Sequence, residues 1–130
     1  MQSLQRSGRR WSNGALLKRT ILLSCGWGWA AAIVVLSLIP TTAQVDIDHG
    51  DKLGHFAAYG LLMSVFCLIY DQWRTRLAYA AGFIAMGIAL EFAQGTTGTR
   101  TMEGLDMLAN AAGVLLGLAG ALLLSRMPAR

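Results

Sequence analysis

From Ile21 to Ile39 the chain carries no charged side chain, and the run stops at Pro40. A helix needs about 20 apolar residues to cross a bilayer, and it can do so because it satisfies its own backbone hydrogen bonds. Three further apolar runs follow, about Leu53 to Tyr70, Leu77 to about Gln94, and Leu105 to Leu124. Such blocks are too long for the helices of a globular core. With 55% hydrophobic and 14% charged residues among 130, the chain is predicted to be an all-α, polytopic membrane bundle of four transmembrane helices. A folded soluble domain has nowhere to fit.

Residues 1–20 are polar and basic with no sustained apolar period, and are read as a cytoplasmic tail. Residues 21–125 form the membrane domain, and 126–130 a short basic end. A cleaved signal peptide competes with an anchor for the first run, because Thr41 and Ala43 suit cleavage before Gln44. The run exceeds the usual ~7–15-residue signal core, which favours the anchor. Cys25 and Cys67 both lie inside apolar runs and form neither a disulfide framework nor a metal-ligand spacing. The net charge of +4 does not indicate nucleic acid, since the basic residues flank apolar runs and form no patch with stacking aromatics. In the third run Ala81, Ala85 and Ala89 recur every four positions, a spacing that suits close helix packing in lipid.

Charge sets the expected orientation. With a cytoplasmic N-terminus, Arg6, Arg9, Arg10, Lys18, Arg19, Arg74, Arg76, Arg126 and Arg130 lie inside, leaving Lys52 and Arg100 outside. Basic residues favour the cytoplasmic side, so both termini are expected there. Acidic residues sort the other way. Asp46, Asp48, Asp51, Glu91, Glu103 and Asp106 fall at or just below the outer surface, and because acids contribute little to orientation, function at that face is one explanation.

At ~100° and ~1.5 Å per residue, Asp51, His55 and Tyr59 form a polar stripe descending from that surface. Glu91 and Gln94 share a face near the end of the third run, and Asp106, Asn110, Gly113 and Gly117 share another on the fourth. The glycines would let a neighbouring backbone approach. Plain alternatives stand beside a site: Gln94 and Asn110 as interhelical hydrogen bonds, Asp51 and Asp106 as helix caps, His55 as a satisfied buried histidine. Glu103 and His49 read as solvated loop residues. Capping, however, does not explain His55, Glu91, Gln94 and Asn110 at matching depth, and ionisable groups inside membrane segments default to function.

A carboxylate beside an imidazole can deliver and remove protons, so Asp51 or Glu91 could orient His55. The Arg100 guanidinium suits a bidentate phosphate contact. His55 with Asp51, Glu91 and Asp106 could instead hold a divalent cation, although no metal motif raises that option.

In order, the chain carries Asp51-Lys52-Leu53-Gly54-His55-Phe56 with Tyr59, then Glu91-Phe92-Ala93-Gln94, then Arg100, then Asp106 with Asn110, Gly113 and Gly117. This pattern, DKxxHFxxY, ExxQ, an arginine and DxxxNxxGxxxG, resembles the VanZ-like family of small bacterial membrane proteins over about half the chain. The loop Gly-Thr-Thr-Gly-Thr before Arg100 departs from it in lacking an aromatic or proline, which leaves substrate contacts from that loop open. The resemblance implies a compact membrane domain, a link to glycopeptide (teicoplanin) resistance, and kinship with enzymes of lipid head groups and lipid-linked cell-wall precursors. Combined with the residues, it assigns His55, Asp51 and Glu91 to catalysis, and Arg100, Gln94, Asp106, Asn110, Tyr59 and Lys52 to substrate. Membrane lipids or lipid-linked precursors are the expected partners, for a head-group hydrolase or transferase. The alternative is a non-enzymatic lipid-binding or envelope-stress accessory protein.

Overall fold

The structure, a computed structural model, describes residues 13–39, 50–96 and 103–126, with the side chain of Asp51 outside the description. Four α-helices follow one another: α1 (Asn13–Leu38), α2 (Gly50–Ile69), α3 (Trp73–Thr96) and α4 (Gly104–Arg126). Each is long and apolar enough to cross a membrane, which makes this an all-α, multi-pass membrane protein.

The helices outrun the apolar segments that seed them. Nucleating a helix is costly, whereas extending one adds a hydrogen bond per residue, and Ala15, Leu16 and Leu17 are good helix formers. Residues 13–20, read above as the end of a tail, are therefore the first turns of α1. There the Arg19 guanidinium lies over the Tyr70 ring, 5.6 Å from its centre, and couples the start of α1 to the end of α2. Likewise α3 begins at Trp73, ahead of the apolar run that starts at Leu77, so Arg74 and Arg76 belong to its first turn.

Arg76 does more than mark orientation. Its side chain is buried, Nε donates to the Tyr70 carbonyl at 2.6 Å and Nη2 to the Cys67 carbonyl at 2.9 Å, and Asp71 lies 3.5 Å away. The last carbonyls of a helix have no intrahelical partner and carry partial negative charge, so a cation here completes the end of α2. Arg76→Met should destabilise the bundle by about 1.5–3 kcal/mol, the usual range for losing hydrogen bonds from a charged donor. Unfolding in mixed micelles with increasing SDS would measure it, and an unchanged midpoint would refute the capping role.

The tightest pairing is between α2 and α4. A Cβ on Gly113 would overlap the Phe56 carbonyl oxygen and stand 3.0 Å from the Gly60 nitrogen; one on Gly117 would stand 2.6 Å from the Gly60 oxygen. The glycines of α4 thus bring the α2 backbone into contact, as their spacing predicts. The alanine stripe of α3 behaves otherwise. Ala81, Ala85 and Ala89 are exposed, and the buried face carries Arg76, Ala80, Phe83, Gly87, Glu91 and Gln94. The two faces are opposed on the helix. Since α3 can bury only one of them, the cost of leaving arginine, glutamate and glutamine toward lipid outweighs what alanine packing would contribute.

Tyr59, Leu62, Met63, Phe66 and Val114 form the fully buried centre. Toward the other end, the Phe66 ring meets Trp27 edge-on at 5.3 Å and Phe83 at 5.0 Å between centres, and Tyr79 at 4.5 Å. The first helix packs through Gly26, Ala30 and Ile33; a Cβ on Gly26 would come 2.8 Å from the Phe66 ring. Leu68, Leu115, Leu123 and Leu124 are among the large apolar side chains left exposed, as expected where lipid is the solvent.

Candidate functional site

The polar groups gather at the end of the bundle where α1 and α3 finish and α2 and α4 begin. Glu91, on the buried face of α3, is 2% exposed, and its Oε1 accepts the backbone N–H of Glu103 at 2.8 Å. Glu103 immediately precedes α4, so this N–H is one of the donors a helix start leaves without an internal partner. A carboxylate also suits the positive end of the helix dipole. One turn on, Gln94 is 4% exposed and donates from Nε2 to the Ser37 carbonyl at 2.7 Å. That carbonyl belongs to the last turn of α1. Two side chains of α3 therefore complete the ends of two neighbouring helices, which fixes the mutual height of α1, α3 and α4.

Asp106 lies in the first turn of α4 and is buried, its own N–H donating to the Glu103 carbonyl at 3.0 Å. Lys52, from α2, brings its ammonium to 2.8 Å from Glu103 Oε2 and 3.8 Å from Asp106 Oδ1. One turn deeper, Asn110 is buried between α3 and α2. A Cβ on Gly87 would stand 3.1 Å from the Asn110 side chain and 3.3 Å from the Tyr59 ring, so the glycine makes room for both side chains against α3. The Asn110 Oδ1 is buried and accepts no hydrogen bond from the described residues.

His55 sits in a different wall. With Tyr59 it lines a cleft of about 290 Å³ between α1 and α2, whose other sides include Trp29, Ile33, Leu36, Ser37 and Gly54. The Trp29 indole donates to the Ala58 carbonyl at 3.0 Å across the foot of this cleft.

The structure thus places Lys52, Tyr59, Glu91, Gln94, Asp106 and Asn110 around one bundle end, with His55 in the adjoining cleft. Arg100, His49, Asp46, Asp48 and the side chain of Asp51 lie outside the described residues. Among those described, no group of three or more His, Cys, Asp or Glu could hold a metal ion, so the divalent-cation alternative finds no ligand set there.

Glu103 is an exposed residue outside the helices, as expected, but it also makes specific contacts. Its side chain is 47% exposed but pairs with Lys52, and its backbone anchors Glu91. A signal was available, since Glu103 stands three residues before Asp106 at the start of an apolar run, where a helix start is expected. Gly87 could have been found too, four residues before Glu91 on the same face. The Ser37 carbonyl could not, because every residue offers one.

No known protein family, curated protein or solved structure matches this chain.

Proposed function

We propose that this multi-pass membrane protein acts on a lipid, or a lipid-linked cell-wall precursor, at the phosphate head group. The observation that carries the reading is the convergence of buried Glu91, Gln94, Asp106 and Asn110 at one bundle end, beside a cleft walled by His55 and Tyr59. Burying ionisable groups in a membrane segment is costly, and capping alone accounts for some of these groups but not for His55 or Asn110. In this reading His55 is general base or nucleophile, Glu91 and Asp51 its proton-transferring partners, and Arg100 a phosphate clamp. Asp106, Asn110, Gln94 and Lys52 position the head group. The charge bias along the sequence supports cytoplasmic termini and a site at the outer leaflet, and the VanZ-like resemblance supports a bacterial inner membrane. The motif order supports VanZ-like kinship and, through it, a part in teicoplanin resistance.

The full chain in liposomes should convert a head group, and His55→Ala should lower that rate by about 10²–10⁴-fold, the usual contribution of a positioned acid or base. Full conversion by a normally inserted His55→Ala protein would sink the assignment. A second reading, a non-enzymatic lipid binder or accessory protein, draws on the hydrogen bonds of Glu91 and Gln94 to neighbouring helix ends, which give both residues a structural role. It expects intact lipid and no product when bound lipid is analysed by mass spectrometry after incubation.

A further inference from the structure

The cleft beside His55 originates in side-chain size. Gly50, Gly54 and Ala58 recur every four residues on the α2 face that lines it, and α1 contributes Ala32 and Ser37 among the larger Ile33 and Leu36. Small residues usually let helices close up in lipid. Gly60, Gly113 and Gly117 do so, each with a neighbouring backbone at contact distance. Gly54 does not: nothing stands within 4 Å of the point where its Cβ would be. The Trp29 indole, bonded to the Ala58 carbonyl, braces α1 away from α2 below that point. From Ser37 down to Trp29 is about 12 Å along α1 at 1.5 Å per residue. The result is an apolar slot with His55 and Tyr59 on one wall and an indole at its foot.

Three occupants can be weighed. Water gains little along the part of the slot walled by Trp29, Ala32, Ile33, Leu36 and Ala58, which offer it no side-chain partner but the indole N–H, already bonded to Ala58. A helix from a second copy is about 10 Å across, too wide to enter between two helices that the Trp29–Ala58 hydrogen bond ties together at 3.0 Å at the foot of the slot. A single hydrocarbon chain is narrow and apolar, and in a membrane-spanning bundle it is the surrounding solvent. The rim also favours it, since Leu36, which lines the slot, is 67% exposed and makes the approach from the bilayer apolar.

We infer that the α1–α2 slot takes one chain of a membrane lipid, so that the attached head group reaches His55 sideways from the leaflet. This rests on the head-group role of His55, but occupancy of the slot is measured separately from turnover. The full-length protein is reconstituted in liposomes containing a trace of phosphatidylglycerol with a diazirine in one acyl chain, photolysed, and mapped by peptide mass spectrometry. Label should concentrate on the α1 residues 32–37 and the α2 residues 54–58. Gly54→Leu, and independently Ala32→Leu from the opposite wall, should cut that label at least fivefold. Gly120→Leu, at another glycine with nothing within 4 Å but outside the slot, should leave it unchanged. Label spread evenly over exposed Leu68, Leu115 and Leu123, or undiminished in both filled variants, overturns the inference. His55→Ala should keep the slot label while losing conversion. Label lost on filling, in a wild-type protein that converts no head group, upholds the slot and removes the enzymatic reading instead.

Discussion

Gly113→Ala is expected to cripple the bundle although it adds one methyl group. That methyl would occupy the place of the Phe56 carbonyl oxygen and press on the Gly60 nitrogen. Both are helical backbone atoms, which cannot swing aside as a flexible side chain does, so α2 and α4 must separate. Overpacking typically costs about 1–3 kcal/mol, and a backbone-to-backbone contact belongs at the upper end or beyond. Separation would also loosen Val114 and Met63, which sit at this seam with no exposed surface, and would widen the space around Asn110. Gly120→Ala, with nothing within 4 Å, is the matched control and should be neutral or gain up to about 1 kcal/mol of helix propensity. Unfolding in mixed micelles with increasing SDS would compare them. Equal midpoints for the two variants would mean that α2 and α4 are not in backbone contact.

Glu91 is expected to split into two measurable roles. Removing the side chain in Glu91→Ala leaves the Glu103 N–H without its acceptor, a loss of about 1–3 kcal/mol, and frees the start of α4 from α3. Glu91→Gln keeps an oxygen for that N–H and should retain most of the stability. If the carboxylate also moves protons for a head-group reaction, as proposed, the glutamine variant should still lose about 10²–10⁴-fold in rate. A folded Glu91→Gln protein with wild-type conversion would leave Glu91 as a structural strut and remove it from the chemistry. Measuring stability and conversion on the same preparations keeps the two roles apart.

Much of the fold was legible before any coordinates, because the properties involved are local. A charge-free run such as Ile21 to Ile39 must be a helix in lipid, whatever it packs against. Helical periodicity likewise places Asp106, Asn110, Gly113 and Gly117 on one stripe, and all four are buried. The alanines of α3 show where local reasoning stops. Their spacing suits packing, yet α3 turns the opposite face inward, a choice that compares the two faces of the whole helix. The start of α1 at Asn13 shows the same limit, since extension from an established helix overrides the polar character of residues 13–20.

By itself, then, the sequence determined the number of spans, the polar end of the bundle and the glycine stripe of α4, since lipid penalises unsatisfied backbone and misplaced charge wherever they occur. Only the tertiary structure decided that the stripe receives α2, that Glu91 and Gln94 hold the ends of α4 and α1, and that His55 faces a slot beside α1 while Asn110 lies between α2 and α3. Those partners are mostly backbone groups or empty space. Each residue carries the same carbonyl, and all but proline the same N–H, so only the relative height and rotation of the helices select which of them a side chain meets.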